Sequence, residues 1–275
     1  MTVTNAVETT MIWGTVSGAS MVGMVISLLL SVVLPIFLGI FIYKKTKAWV
    51  PAFFIGCGIF VGFAMILEQI CHAIVLTVTG SAIRDNIWLY AIYGGLAAAL
   101  FEECGRWIAM KFCLKKHLTR ENALMYGAGH GGIEAFLILG MSSMSNLLTA
   151  AMINGGLMEK TMTALEPAQQ EVTYHQLSVL WTTPAYQFYL APVERISAIA
   201  LQIALSILVY SAVKTGRKLQ LAAAFGLHFA MDFLTVICAA AIPTWALELG
   251  LLLVVAVICV VVYQLVYVQM AEKKA

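Results

Sequence analysis

The sequence predicts an all-α, polytopic transmembrane helix bundle of about seven spans. Its 275 residues are 61% hydrophobic and only 11% charged, less than half the roughly 25% with which a soluble domain covers its surface. Apolar runs of about 20 residues, the length that crosses a bilayer, recur from end to end. The basic residues cluster in alternate connections between those runs. No polar stretch is long enough for a separate soluble domain, so residues 1–275 are read as one integral membrane domain of the cell membrane.

The expected spans are Ser17–Tyr43, Val50–Thr79, Ile87–Met110, Asn122–Gly140, Phe188–Val213, Leu219–Ile242 and Leu249–Gln269. The first sixteen residues carry no Lys or Arg, so they lack the basic start of a secretory signal, and the first run is read as an uncleaved span. Met141–Met158 is apolar but rich in Ser, Asn and Gly, which suits an interfacial or re-entrant segment better than an eighth span. Glu159–Tyr186 reads as the one long polar loop.

The positive-inside rule tests this map. With Met141–Met158 not crossing, Lys44, Lys45, Lys47, Lys111, Lys115, Lys116, Arg120, Lys214, Arg217, Lys218, Lys273 and Lys274 share one side. Only Arg84 and Lys160 fall on the other. This places the N-terminus outside and the C-terminus in the cytoplasm. An eighth crossing would move Lys214, Arg217, Lys218, Lys273 and Lys274 outside.

The six cysteines are scattered and form no CxxC pair, which argues against structural disulfides and a thiolate zinc site. Eleven ionisable residues lie inside the expected spans: Glu68, His72, Glu102, Glu103, Arg106, His130, Glu134, Glu194, Arg195, His228 and Asp232. A charged Asp, Arg or Lys at a helix centre costs about 2.5–3.5 kcal/mol even on the gentler insertion scale. Such residues are therefore paired or used. Glu68 and His72, Glu102 and Arg106, His130 and Glu134, and His228 and Asp232 are each four apart, so each pair shares a helix face. Local neutralisation within each pair is the structural alternative to a site.

Depth favours a site. Glu102, His130 and His228 each fall ~12–14 Å from the cytoplasmic end of their span at ~1.5 Å per residue. Independent structural pairs need not coincide in depth. Four glycines between Tyr126 and Glu134 let neighbouring backbones approach the His130 helix, and Gly94, Gly95, Ala97–Ala99 and Gly105 give the Glu102 helix small flanks. Glu194 and Arg195 follow Pro192, which suits a helix start, and are read as structural. Glu68 and His72 are the weakest candidates.

In order, Glu102-Glu103-Cys104-Gly105-Arg106, Tyr126…His130…Glu134 and His228…Asp232 resemble the pattern of a superfamily containing the CAAX prenyl endoproteases, the PrsW proteases and the YhfC family. That pattern is Glu-Glu followed by a basic residue, an aromatic with His or Glu four later, and His four before Asn or Asp. Length and span count look most like the YhfC branch, over nearly the whole chain. The sequence departs in having two residues between Glu-Glu and Arg106, Tyr126 as the aromatic and Asp232 as the last partner, which sets it apart from the prenyl-protein branch.

The resemblance implies intramembrane proteolysis of the glutamic type. A carboxylate activates a water that attacks a peptide carbonyl, while histidines hold the oxyanion. On that basis Glu102 is cast as base, because Arg106 shares its face, and Glu103, pointing about 100° away, is second choice. His130 and His228 are the oxyanion donors. Asp232 fixes the tautomer of His228, and Glu134 does the same for His130 or acts as a second acid. No cofactor is expected; the mechanistic alternative is zinc held by His130, His228 and Glu102, although no HExxH is present. The expected partners are a membrane protein or peptide substrate and the lipid bilayer, with no nucleic acid. The functional alternative is a non-catalytic scaffold, or a transporter using the buried pairs as a proton relay; transporters commonly show internal repeats, and none is evident.

Overall fold

The computed structural model describes residues 11–270. In chain order its helices are α1 (Gly18–Thr46), α2 (Pro51–Thr79), α3 (Ile87–Cys113), α4 (Arg120–Asn154), α5 (Leu157–Met162), α6 (Pro167–Thr182), α7 (Ala185–Thr215), α8 (Lys218–Ala239) and α9 (Thr244–Tyr267). All but α5 and α6 are long and apolar enough to cross a membrane. No strand occurs among the described residues. The chain is a multi-pass membrane protein.

Local chemistry sets the helix ends. Ser17 Oγ accepts the Ser20 amide at 3.0 Å to start α1, and Thr119 Oγ1 accepts that of Asn122 at 3.2 Å to start α4. Asn86 does the same for α3. Each side chain satisfies an amide that has no partner within its own helix. Gly216, at φ 74, ends α7 in the left-handed conformation that glycine adopts without strain.

The helices alternate in direction between two ends. At the lysine-rich end the α1–α2 connection meets the start of α4, where the Trp49 amide donates to Asn122 Oδ1 at 2.7 Å. Arg120 donates to the Tyr267 carbonyl at the end of α9. At the opposite end the backbone of Val16 and the side chain of Asn154 exchange two hydrogen bonds, at 2.8 and 2.9 Å.

Three sequence expectations need correction. Met141–Met158 is not re-entrant, nor is it an eighth span: through Asn154 it continues α4, which is 35 residues long. At ~1.5 Å per residue that helix is ~52 Å, longer than a bilayer's apolar core of ~30 Å. The Ser and Asn residues of this stretch belong to the excess length. The expected polar loop Glu159–Tyr186 holds most of α5 and all of α6, and Leu177, Leu180 and Trp181 of α6 join Val16, Met24, Ala150 and Ile153 in a second apolar cluster at that end. Thirdly, α7 begins at Ala185, three residues before the expected Phe188 and seven before Pro192, so Pro192 lies inside the helix and not at its start. Proline removes an amide that would have bonded the carbonyl four residues earlier. That carbonyl, Phe188 O, accepts instead from Ser27 Oγ of α1 at 3.2 Å. A neighbouring helix thereby supplies the missing donor, which lets a span contain proline.

Two helices make the centre. In α7, 72% of the apolar window is buried, against 17–33% in the other spans. Large side chains such as Phe37 of α1 and Leu253 of α9 stay exposed on the outside, where lipid is their solvent. The first half of α4, Arg120–Ala135, is almost wholly buried against α1, α2 and α7. Its glycines allow this. A Cβ at Gly129 would lie 1.9 Å from Phe53 O of α2, and one at Gly56 would lie 2.2 Å from Tyr126 O of α4. The two backbones touch where these glycines face each other, which holds His130 deep in the bundle.

Gly129→Ala is therefore expected to destabilise the protein. The clash is with backbone, so the ~1 kcal/mol of helix propensity gained is outweighed by overpacking of about 1–3 kcal/mol or more. Gly94→Ala, where nothing lies within 4 Å of the new Cβ, is expected to be neutral or stabilising. Thermal unfolding of the two variants in detergent checks the contrast.

Candidate active site

Four helices bring the cluster together. α3 supplies Glu102, Glu103 and Arg106, α4 supplies His130 and Glu134, α7 supplies Arg195, Gln202 and Ser206, and α8 supplies His228 and Asp232. Glu102 Oε2 lies 2.9 Å from His130 Nε2, and Glu102 Oε1 lies 3.9 Å from His228 Nε2. The three residues placed at one depth by the sequence are thus neighbours across three helices.

Arg106 is the hub. It is fully buried, so each guanidinium N–H needs a partner inside the protein. Nε donates to Glu103 Oε2 at 3.1 Å, and NH1 donates to Ser206 Oγ at 2.6 Å and to the Gln202 carbonyl at 3.0 Å. NH2 donates to Gln202 Oε1 and lies 3.9 Å from Glu102 Oε2. The planar fork therefore fixes α3 to α7 at mid-bundle, a task that lysine's single ammonium could not perform in the same geometry.

Each reactive candidate has defined supports. Glu102 Oε2 also accepts from Gln202 Nε2 at 2.9 Å, while the same amide nitrogen donates to Glu134 Oε2 at 2.8 Å. Tyr126 OH lies 3.5 Å from His130 Nδ1, and the Phe60 ring meets that imidazole edge-on. His228 Nδ1 lies 2.8 Å from Glu103 Oε1. Because Glu103 is held against Arg106 it serves as acceptor, so Nδ1 carries the proton and His228 Nε2 is turned toward Glu102 and Asp232.

Several local pairings differ from those expected. Arg106 has its close ion pair with Glu103, three residues away, and not with Glu102, because the guanidinium is drawn toward α7 by Gln202 and Ser206. His228 is oriented by Glu103; Asp232 Oδ2 stands 3.6 Å from the other ring nitrogen. Glu134 turns from His130 to Arg195, whose NH1 lies 3.2 Å from Glu134 Oε1. Arg195 and Glu194, read as a helix-start pair, instead pair with each other and line the cavity, since α7 starts well before them. Glu68 and His72 pair locally at 3.2 Å, and His72 Nδ1 meets Tyr93 OH at 2.7 Å.

Gln202 and Ser206 were not singled out in the sequence. A search for ionisable residues passes over both, although their four-residue spacing on an otherwise apolar helix was available as a signal.

The cluster borders a cavity of about 350 Å³ whose lining includes Glu102, Glu134, Glu194, Arg195, Gln202, His228 and Asp232 beside mostly apolar side chains. Five carboxyl groups in and behind its wall (Glu102, Glu103, Glu134, Glu194 and Asp232) face two guanidiniums (Arg106 and Arg195). Burying unbalanced charge costs several kcal/mol per ion. Protons on imidazole or carboxyl groups, or a bound cation, must make up the difference, and a site of that kind is equipped to move protons.

A family model described as YhfC intramembrane metalloprotease matches residues 30–261. The protein named Uncharacterized membrane protein YhfC, from Bacillus subtilis (strain 168), is 41% identical over 222 residues, covering 78% of this chain and 83% of that one. No solved structure matches the chain.

Replacing Arg106 by Leu is expected to destabilise the bundle by about 3–5 kcal/mol, since it strands a buried carboxylate. Arg106→Lys is expected to recover only part of that loss. Unfolding in mixed micelles, followed by tryptophan fluorescence, measures both.

Proposed function

Because this chain belongs to the YhfC family, we propose that it is an intramembrane peptidase in which Glu102 activates water for attack on a peptide carbonyl. The observation that carries the proposal is the meeting of Glu102, His130 and His228, from three helices, beside one cavity. The ordered motifs further support grouping it with the CAAX and PrsW proteases. A pure scaffold has no use for a carboxylate opening onto a cavity with an imidazole beside it.

Each residue then has a defined task. Gln202 and His130 hold Glu102 Oε2 by donation, leaving Oε1 toward His228 and the cavity. Water beside Oε1 gives its proton to Glu102 as its oxygen bonds the carbonyl carbon. The carbonyl oxygen gains negative charge, which a proton on His228 Nε2 stabilises in a site largely closed to water. Glu102 passes the proton to the departing amine nitrogen as the C–N bond breaks, which leaves a carboxylic acid and an amine. Glu103 acts through His228 and Arg106 as a positioning residue.

The family description favours a second reading, metal-assisted hydrolysis. Its fit is poor for the set His130, His228 and Glu102. Among the described residues no three His, Cys, Asp or Glu side chains close around a common ion position. His130 Nε2 hydrogen-bonds Glu102 directly, and the Arg106 guanidinium stands 3.5 Å from that nitrogen. The nearest approach to a ligand set is at His228, which has Nδ1 anchored on a carboxylate and Nε2 3.6 Å from Asp232 and 3.9 Å from Glu102. An imidazole supported in this way is common in metal sites.

Cleavage of a single-span model peptide by purified protein in proteoliposomes tests the proposal, with metal content measured on the same sample. Glu102→Gln is expected to lower the rate ~10²–10⁴-fold, the usual share of a general base, and dialysis against a chelator is expected to leave wild type active. Equal rates for wild type and Glu102→Gln would sink the peptidase assignment. Stoichiometric metal lost together with activity, and reduced in His228→Ala or Asp232→Asn, would transfer the mechanism to the second reading.

A further inference from the structure

We infer that the cluster is entered from the end of the bundle opposite the lysines, and that its substrate is a membrane-borne peptide presenting the scissile bond from that side. The substrate part rests on the peptidase proposal; the direction of access does not.

The two sides of the cluster differ on every helix that builds it. On the lysine side, the next turn is sealed. Arg106 and Met110 on α3, Tyr126 on α4, Ser206 and Tyr210 on α7 and Ala224 on α8 are each no more than 1% exposed. Leu205 and Leu208 of the main apolar core fill the same layer, and Leu114 lies behind it. This layer of buried side chains stands between Glu102 and the lysine end.

On the other side the cavity continues. Ala98 lies one turn before Glu102 on α3, and Ile138 lies two turns after His130 on α4. Thr235 and Val236 lie seven and eight residues beyond His228 on α8, or ~10–12 Å along the helix. Glu194 and Arg195 lie eight and seven residues before Gln202 on α7, which runs the opposite way. Each of these positions is displaced from the cluster toward the lysine-poor end. Side-chain exposure is 4% at His228 and 8% at Glu102, and in this direction it is 11% at Arg195, 32% at Glu194 and 39% at Asp232. The α5–α6 cap stands at this end, but its apolar contacts are with α1, α4 and the start of α7, and no residue of α5 or α6 lines the cavity. The cap therefore adds nothing to the cavity's lining, and the inferred mouth lies beside it. By the positive-inside rule it faces away from the cytoplasm.

Cysteine accessibility tests the direction without requiring catalysis. All six native cysteines are free, so a cysteine-free background can be prepared. A variant retaining only Cys113, exposed at the lysine-rich end, assigns the sidedness of the vesicles. Thr235→Cys and Val236→Cys are introduced singly, and a membrane-impermeant maleimide is applied to each face. Only variants that elute as a single species and label fully after denaturation are scored. Reaction at least tenfold faster from the face opposite Cys113 is expected at one or both positions. Faster reaction from the Cys113 face, or none from either, overturns the inference. Two model peptides, with the scissile segment near one membrane face or the other, then test the substrate part. Preferential cleavage at the face opposite Cys113 supports it, and preferential cleavage at the Cys113 face overturns it. If neither peptide is cleaved while labelling proceeds as expected, the peptidase proposal and its substrate part fail and the access route stands.

Discussion

A guanidinium with no access to solvent, in the middle of a membrane protein, dictates much of what surrounds it. Arg106 stays charged at any pH a cell meets, so its donors must all be met from within. Meeting them draws in Glu103 from its own helix and the Gln202 carbonyl, Gln202 amide and Ser206 hydroxyl from α7. The same contacts set the places of the other groups. Glu103, once fixed, orients His228, and Gln202, once fixed, holds Glu102 and Glu134 on its amide nitrogen. The cluster is thus one connected network, and the cost of burying each charge is offset only while its neighbours are present.

Such a network needs helices that approach closely without themselves carrying polar groups at every contact. The glycines of α4 meet that need by letting backbone touch backbone at α2. Helix association in lipid lacks the hydrophobic driving force available in water, so close packing and buried polar contacts must hold the bundle together. Here both occur in the same few turns of α4 and α7. This also explains why these two helices are interior while α1, α2 and α9 present large apolar faces to lipid.

The chemistry follows from an asymmetry in this arrangement. Toward the lysine-rich end the network is backed by tightly packed side chains, and toward the other end it gives onto a cavity with a partly exposed Asp232 and Glu194. Groups on the packed side can only position. In the proposed peptidase, the groups on the cavity side, Glu102 and His228, are the ones that meet water and the peptide. That division separates Glu102 from Glu103 more firmly than their 100° offset on a helix wheel, because it concerns what each carboxylate faces and not merely where it points.

The spans, their number and the clustering of cations at one end were legible in the sequence, because length and apolarity are properties of single segments and lipid imposes them segment by segment. So was the convergence of Glu102, His130 and His228, since regular helices of fixed rise turn position along the chain into depth. Partnership was not legible. Helical spacing suggested Arg106 with Glu102, Asp232 with His228 and Glu134 with His130, whereas the close partners are Glu103 for Arg106, Glu103 for His228 and Arg195 for Glu134. Each of those substitutions depends on a helix from elsewhere in the chain, above all α7, whose Gln202 and Ser206 looked like ordinary polar residues in an apolar run. The Met141–Met158 stretch was misread for a related reason: its Ser and Asn residues weaken the span signal, yet the helix persists because the segment before α1 and the α6 helix pack against its far end. Within one helix the sequence settles who can be neighbours; which neighbour a buried charge takes is decided only when the helices are packed, by whichever partner leaves the fewest buried groups unsatisfied.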